Sequence, residues 1–70
     1  MKLHPVISDM LNAIGYDRKL RILEVIYNTN GTYRYFAVPP SKYKELMTAD
    51  SIGKYMHKYI IGHYEYERVA

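Results

Sequence analysis

The sequence predicts a small α+β fold: an antiparallel sheet with two helices packed on one of its faces, in the chain order β-β-β-α-α-β. Three observations carry this. The chain 20–27, Leu-Arg-Ile-Leu-Glu-Val-Ile-Tyr, is rich in β-branched residues. Asn28-Thr29-Asn30-Gly31 comes next and is turn-forming. The later stretch Ile52, Tyr55, Met56, Tyr59, Ile60 repeats its apolar side chains at i, i+3, i+4, i+7 and i+8, the spacing of one buried helical stripe.

Residues 1–7 read as a loose lead-in, and 8–69 as a single domain. A first strand covers 10–16 and ends at the turn Gly15-Tyr16-Asp17-Arg18-Lys19. In the second strand Leu23, Val25 and Tyr27 share one face, because side chains alternate along a strand. A three-residue loop with Gly31 in the left-handed position would pair Tyr27 with Tyr33 and Val25 with Tyr35. Tyr33 and Tyr35 then join the Leu23/Val25/Tyr27 face, and Arg34 points the other way. Pro39 and Pro40 stop the third strand, since proline donates nothing to a ladder, and Pro40 suits the first position of a helix over 41–49. Asp50 or Ser51 can cap the second helix, and Gly62 can end it. A last strand covers 63–69.

Seventy residues make one domain. A chain this short buries only about 60% of the surface its unfolded form exposes, so its core is thin. Nine tyrosines help to fill it, each a large ring with one polar handle. There is no cysteine, so packing and hydrogen bonds must hold the fold, as in a reducing compartment. No signal peptide is visible and no stretch approaches the length of a membrane span, so a cytoplasmic location and no membrane contact are expected. The net charge of +3 permits contact with phosphates without demanding it.

The order and spacing of several further elements resemble the KTSC domain. They are Ser8 and Leu11, Ile14-Gly15-Tyr16-Asp17, the Leu23/Val25/Tyr27 face, Tyr33-Arg34-Tyr35, Val38-Pro39, Tyr43, Leu46, Ala49, Ser51, Gly53, Tyr55, Ile60 and Tyr64-Glu65-Tyr66. The resemblance spans about 8–69. That family is named for its presence at the C-terminus of some lysyl-tRNA synthetases, and it also occurs as short stand-alone proteins. The resemblance implies the α+β fold and attaches RNA binding to it as an expectation. This chain departs from the family in having His57 where Asn is common and Ile61 where Arg is common.

The chemistry-bearing residues admit two readings. Aromatic side chains on a sheet can stack nucleobases, and Tyr27, Tyr33, Tyr35, Tyr64 and Tyr66 are the set for that role. The same rings share the Leu23/Val25 face and would equally serve as core under the helices. Arg34 lies between two tyrosines, and Lys54 and Lys58 stand four apart on one helix face, so these cations are candidates for phosphate. Glu24, Glu45, Glu65 and Glu67 dilute them into an ordinary mixed-charge surface. His57 and His63 lie six apart and His4 is remote, which is not metal-site spacing without cysteine. No nucleophile–base pair, paired-carboxylate motif or glycine-rich phosphate loop can be read, so no catalytic residue, metal or cofactor is expected.

The sequence therefore points to a non-enzymatic module that binds RNA or a smaller nucleotide. The expected ligand-binding residues are Arg34, Lys54, Lys58, Tyr33, Tyr35, Tyr64 and His57. The alternative is a protein-interaction or inhibitor domain with no nucleic-acid role, using Tyr59 and an exposed Ile61 on the second helix. A homodimer is compatible with a thin core and an open sheet edge.

Overall fold

The hairpin at Gly31 organises the sheet. β3 (Ile22–Tyr27) turns through Asn28, Thr29 and Asn30 into β4 (Gly31–Tyr35). Asn28 is tied back to the preceding segment: its amide nitrogen donates to the Ser8 and Asp9 carbonyls at 3.1 and 3.0 Å. Gly31 holds φ at +90°, so it supplies the left-handed backbone expected of it.

The register differs from the expected one. Tyr27 faces Gly31, Val25 faces Tyr33 and Leu23 faces Tyr35. Strand pairing resumes at Gly31 itself rather than beyond it, which moves every partner by two residues. A shift of two preserves the face, so Tyr33 and Tyr35 still join Leu23 and Val25.

The computed structural model describes all 70 residues, 1–70. β1 (Leu3–Pro5) and β2 (Leu11–Asp17) precede the hairpin, and β5 (Tyr66–Arg68) closes the far edge. The five strands lie in the order β1-β2-β3-β4-β5, all antiparallel. Within the expected lead-in, Leu3–Pro5 thus forms a short edge strand against Gly15, Ile14 and Ala13. Three residues containing a proline carry little strand signal, and pairing with β2 supplies what the local sequence does not.

After β4 the chain turns at Ala37, whose φ is +56°. Val38 is fully buried and pinned from two sides: its N–H donates to the Arg21 carbonyl at 3.0 Å, and its carbonyl accepts the Tyr16 hydroxyl at 2.5 Å. Pro40 opens α1 (Pro40–Met47) at the position where its missing N–H costs nothing. Ser51 caps α2 (Ile52–Tyr55), its hydroxyl oxygen accepting the Lys54 N–H at 3.3 Å.

α2 runs on into a π-helical segment over Met56–Ile60, closed by the Ile61 N–H on the Met56 carbonyl at 2.7 Å. One more residue per turn rotates the side chains at its C-terminal end about the helix axis. Tyr59, which a regular helix would hold in the buried stripe, is exposed. Ile61, expected outside the stripe and exposed, is half-buried against the core. The expected protein-docking pair Tyr59 and Ile61 is thereby split. Gly62 then ends the segment at φ +83°.

The core joins the inner sheet face to this helical layer. Leu11, Ile14, Leu23, Val25 and Tyr35 meet Val38, Leu46, Met56 and Ile60, and all nine are buried. No helix is long and apolar enough to cross a membrane.

Candidate binding site

Nine tyrosines in a thin core cannot all be buried, and the structure separates them by depth. Tyr35 alone is fully buried. Tyr27 and Tyr33 are half-buried on the same sheet face, and Tyr66, at the edge strand, is 61% exposed. The four rings form one continuous set. Tyr27 meets Tyr33 edge-on at 5.2 Å and 87°, and Tyr66 lies 5.7 Å from Tyr33 and 5.8 Å from Tyr35. Such offset and edge-to-face contacts are the favoured geometry for rings.

These tyrosines line a cleft of about 280 Å³ between the β3–β4–β5 end of the sheet and the exit of the π-helical segment. Met10, Asn30, His57, Ile61 and Gly62 complete it. No carboxylate lines it, and the rotation that draws Ile61 inward gives it one wall. The Tyr27 and Tyr35 hydroxyls bond each other at 2.5 Å. Burial pushes the Tyr27 hydroxyl well above the ordinary tyrosine range, and the bond to Tyr35 pushes it further. Burial also raises Tyr35, against the opposing effect of the same bond. Both therefore stay neutral at physiological pH. The cleft offers ring faces, two neutral hydroxyls and an imidazole, a chemistry suited to a planar, hydrogen-bonding ring.

Met10 and His57 also form one wall of a second, more polar groove of about 550 Å³, which includes Ser8, Asp9, Asp50, Ser51 and Lys54.

The residues expected from sequence separate accordingly. Tyr33, Tyr35 and His57 come together in the cleft, and Lys54 lines the adjoining groove. Lys58 lies over the Tyr59 ring at 5.3 Å. Arg34 points away on the opposite sheet face, where its Nε donates to the Glu24 carboxylate at 2.7 Å. Tyr64 is half-buried against the core and contributes to a different, shallow hollow beside His63 and Glu65. Met10, Asn30 and Gly62 were not anticipated. Met10 had no sequence signal, because it is held just before β2 by a contact with a distant segment, its carbonyl accepting the Asn28 N–H at 3.0 Å. Tyr59 also gains a second cation, Lys42, at 5.0 Å. Nowhere do three His, Asp or Glu side chains converge as a metal site would require.

A five-stranded antiparallel sheet bearing two helices on one face, with a ring-lined cleft at its end, defines a small α+β domain with an aromatic cleft. Its relatives give the particular family. The KTSC domain model matches residues 7–64. The chain is 40% identical over 63 residues to a protein of Stutzerimonas stutzeri, covering 89% of both. It superposes on the crystal structure of a KTSC domain protein from Yersinia pestis with a TM-score of 0.97 at 32% identity, covering 99% of this chain and 97% of that one. It is also 30% identical over 63 residues to a lysine–tRNA ligase of Nostoc punctiforme, covering 90% of this chain but only 11% of that enzyme. The chain belongs to the KTSC domain family.

Proposed function

We propose that this domain is a non-enzymatic binding module for a nucleotide-bearing ligand, RNA or a smaller nucleotide, whose base enters the tyrosine cleft. The observation that carries this reading is the lining itself: Tyr27, Tyr33, Tyr35 and Tyr66 with His57, and no carboxylate to repel an anionic ligand. The net charge of +3 and the likeness to a segment of a lysine–tRNA ligase agree with it. Tyr66 is the ring most open to stacking. Titrating single-stranded RNA against intrinsic tyrosine fluorescence tests the reading. Base–aromatic stacking contributes about 1–3 kcal/mol, so Tyr66→Ala is expected to weaken binding about 5- to 150-fold. Equal affinity in the variant would remove the cleft from consideration.

A protein partner is the second reading, favoured by the large apolar side chains left in solvent: Ile7, fully exposed, and Leu20, 66% exposed. A specific protein captured by the domain after nuclease treatment, and lost in Ile7→Ser, would support it.

A further inference from the structure

The tyrosine cleft contains no lysine or arginine. A base seated there would bring phosphates that must find their cations outside it, and the structure provides them in a connected series. From His57 in the cleft wall, Lys54 lies in the adjoining polar groove. Lys58 stands four residues on, exposed within the π-helical segment. Lys58 and Lys42 both lie over the ring of Tyr59, at 5.3 and 5.0 Å, so the segment after α2 and the start of α1 present their ammonium groups to one exposed aromatic.

Asp9 and Asp50 line the same groove as Lys54, but neither closes a salt bridge with it. Lys54 and Lys58 form no salt bridge. Lys42 has Glu45 at 3.5 Å, but the same carboxylate oxygen also accepts the Tyr55 hydroxyl at 2.5 Å. The Tyr59 ring, 37% exposed with the Tyr55 ring 4.7 Å from it, stands beside the same cations.

Resting on the reading of the cleft as a base site, we propose that Lys54, Lys58, Tyr59 and Lys42 form a track for the phosphodiester backbone of single-stranded RNA, so that the ligand is a strand of several nucleotides rather than a mononucleotide. One base enters the tyrosine cleft, the backbone passes over Lys54 and Lys58, and the strand continues past the exposed part of the Tyr59 ring toward Lys42. Arg34, bound to Glu24 on the far face, takes no part.

The test compares uridine monophosphate with uridine oligonucleotides of increasing length, for the native protein and for the K54Q/K58Q variant, over a range of salt concentrations. Affinity is expected to rise with length up to about four nucleotides, within the range of small single-strand sites. Each lost phosphate contact should reduce the salt slope by about 0.7, so the double variant should reduce it by about 1.4. Both substitutions are on exposed side chains, and circular dichroism will show the fold retained. An unchanged salt slope in the folded variant overturns the track, whatever the length dependence. Mononucleotide binding as tight as oligonucleotide binding also overturns it while leaving the cleft reading intact. Failure of the native protein to bind either ligand overturns the cleft reading as well, and the track with it.

Discussion

The hydroxyls of Tyr27 and Tyr35 meet at 2.5 Å although the two residues are not cross-strand partners. Tyr27 faces Gly31, and Tyr35 lies four residues further along the same strand, facing Leu23. Each ring must lean along its strand toward the other to close the bond. Tyr35→Phe leaves the half-buried Tyr27 hydroxyl without its partner and is expected to cost about 1–2 kcal/mol in urea unfolding. The double change Tyr27→Phe/Tyr35→Phe is expected to cost less than the sum of the two single changes, because it leaves no orphaned group. Additive losses would mean the hydroxyls do not act as a pair.

The same burial sets a pH dependence. Burial raises the hydroxyls of Tyr27, Tyr35, Tyr16 and Tyr55 above the ordinary tyrosine value of 10.0, and the bond to Glu45 raises Tyr55 further. In the unfolded chain these groups lose their protons from about pH 10 upward, while the folded chain keeps them. The unfolded state then binds fewer protons, so stability falls as pH rises. The contribution is complete below about pH 10 and is lost progressively above it. Chemical denaturation followed across this window should show the decline, with the tyrosinate absorbance of the buried hydroxyls appearing only as the fold is lost.

Gly31 and Gly62 both hold positive φ, at +90° and +83°, but in different surroundings. A Cβ on Gly31 would press into the Ala70 carbonyl oxygen and the Arg68 guanidinium, whereas one on Gly62 would meet open space. Gly62→Ala is therefore expected to cost about 1 kcal/mol of backbone strain alone. Gly31→Ala is expected to cost clearly more, about 2–3 kcal/mol, since strain and collision add. Thermal unfolding of the two variants ranks them directly.

Arg34 separates the ligand reading from mere positive charge. Its partner Glu24 and its place on the far sheet face predict that Arg34→Gln leaves RNA affinity within about twofold of the native value and stability within about 1 kcal/mol. A large loss of affinity would move the binding surface to the other side of the sheet.

The strands and helices were legible because their signals are local. The alternation in Leu23, Val25 and Tyr27 carries β3, and Pro40 and Ser51 mark the helix starts. What escaped is set by contacts between distant segments. Leu3–Pro5 becomes a strand only beside β2, and the hairpin register depends on where pairing restarts after Asn30. The wider turn after Met56 exchanges the positions of Tyr59 and Ile61, which no periodicity over so few residues discloses. The site shows the same division. Tyr33, Tyr35 and His57 could be picked out by residue type. That Arg34 leaves the group depends on the sheet face it occupies, and that Met10 enters it depends on the bond from the distant Asn28 N–H.

β5 joins the sheet late in the chain, after both helices, and all three of its residues are exposed. Its attachment to β4 involves few buried contacts, so it can detach at small free-energy cost while the nine-residue core remains closed. Because Tyr66 is on that strand, fraying there would remove one wall of the cleft without unfolding the domain. Amide hydrogens of Tyr66–Arg68 should accordingly exchange faster than those of β3, and a ligand clasped against Tyr66 should slow them, acting as the latch that the strand's own packing does not provide.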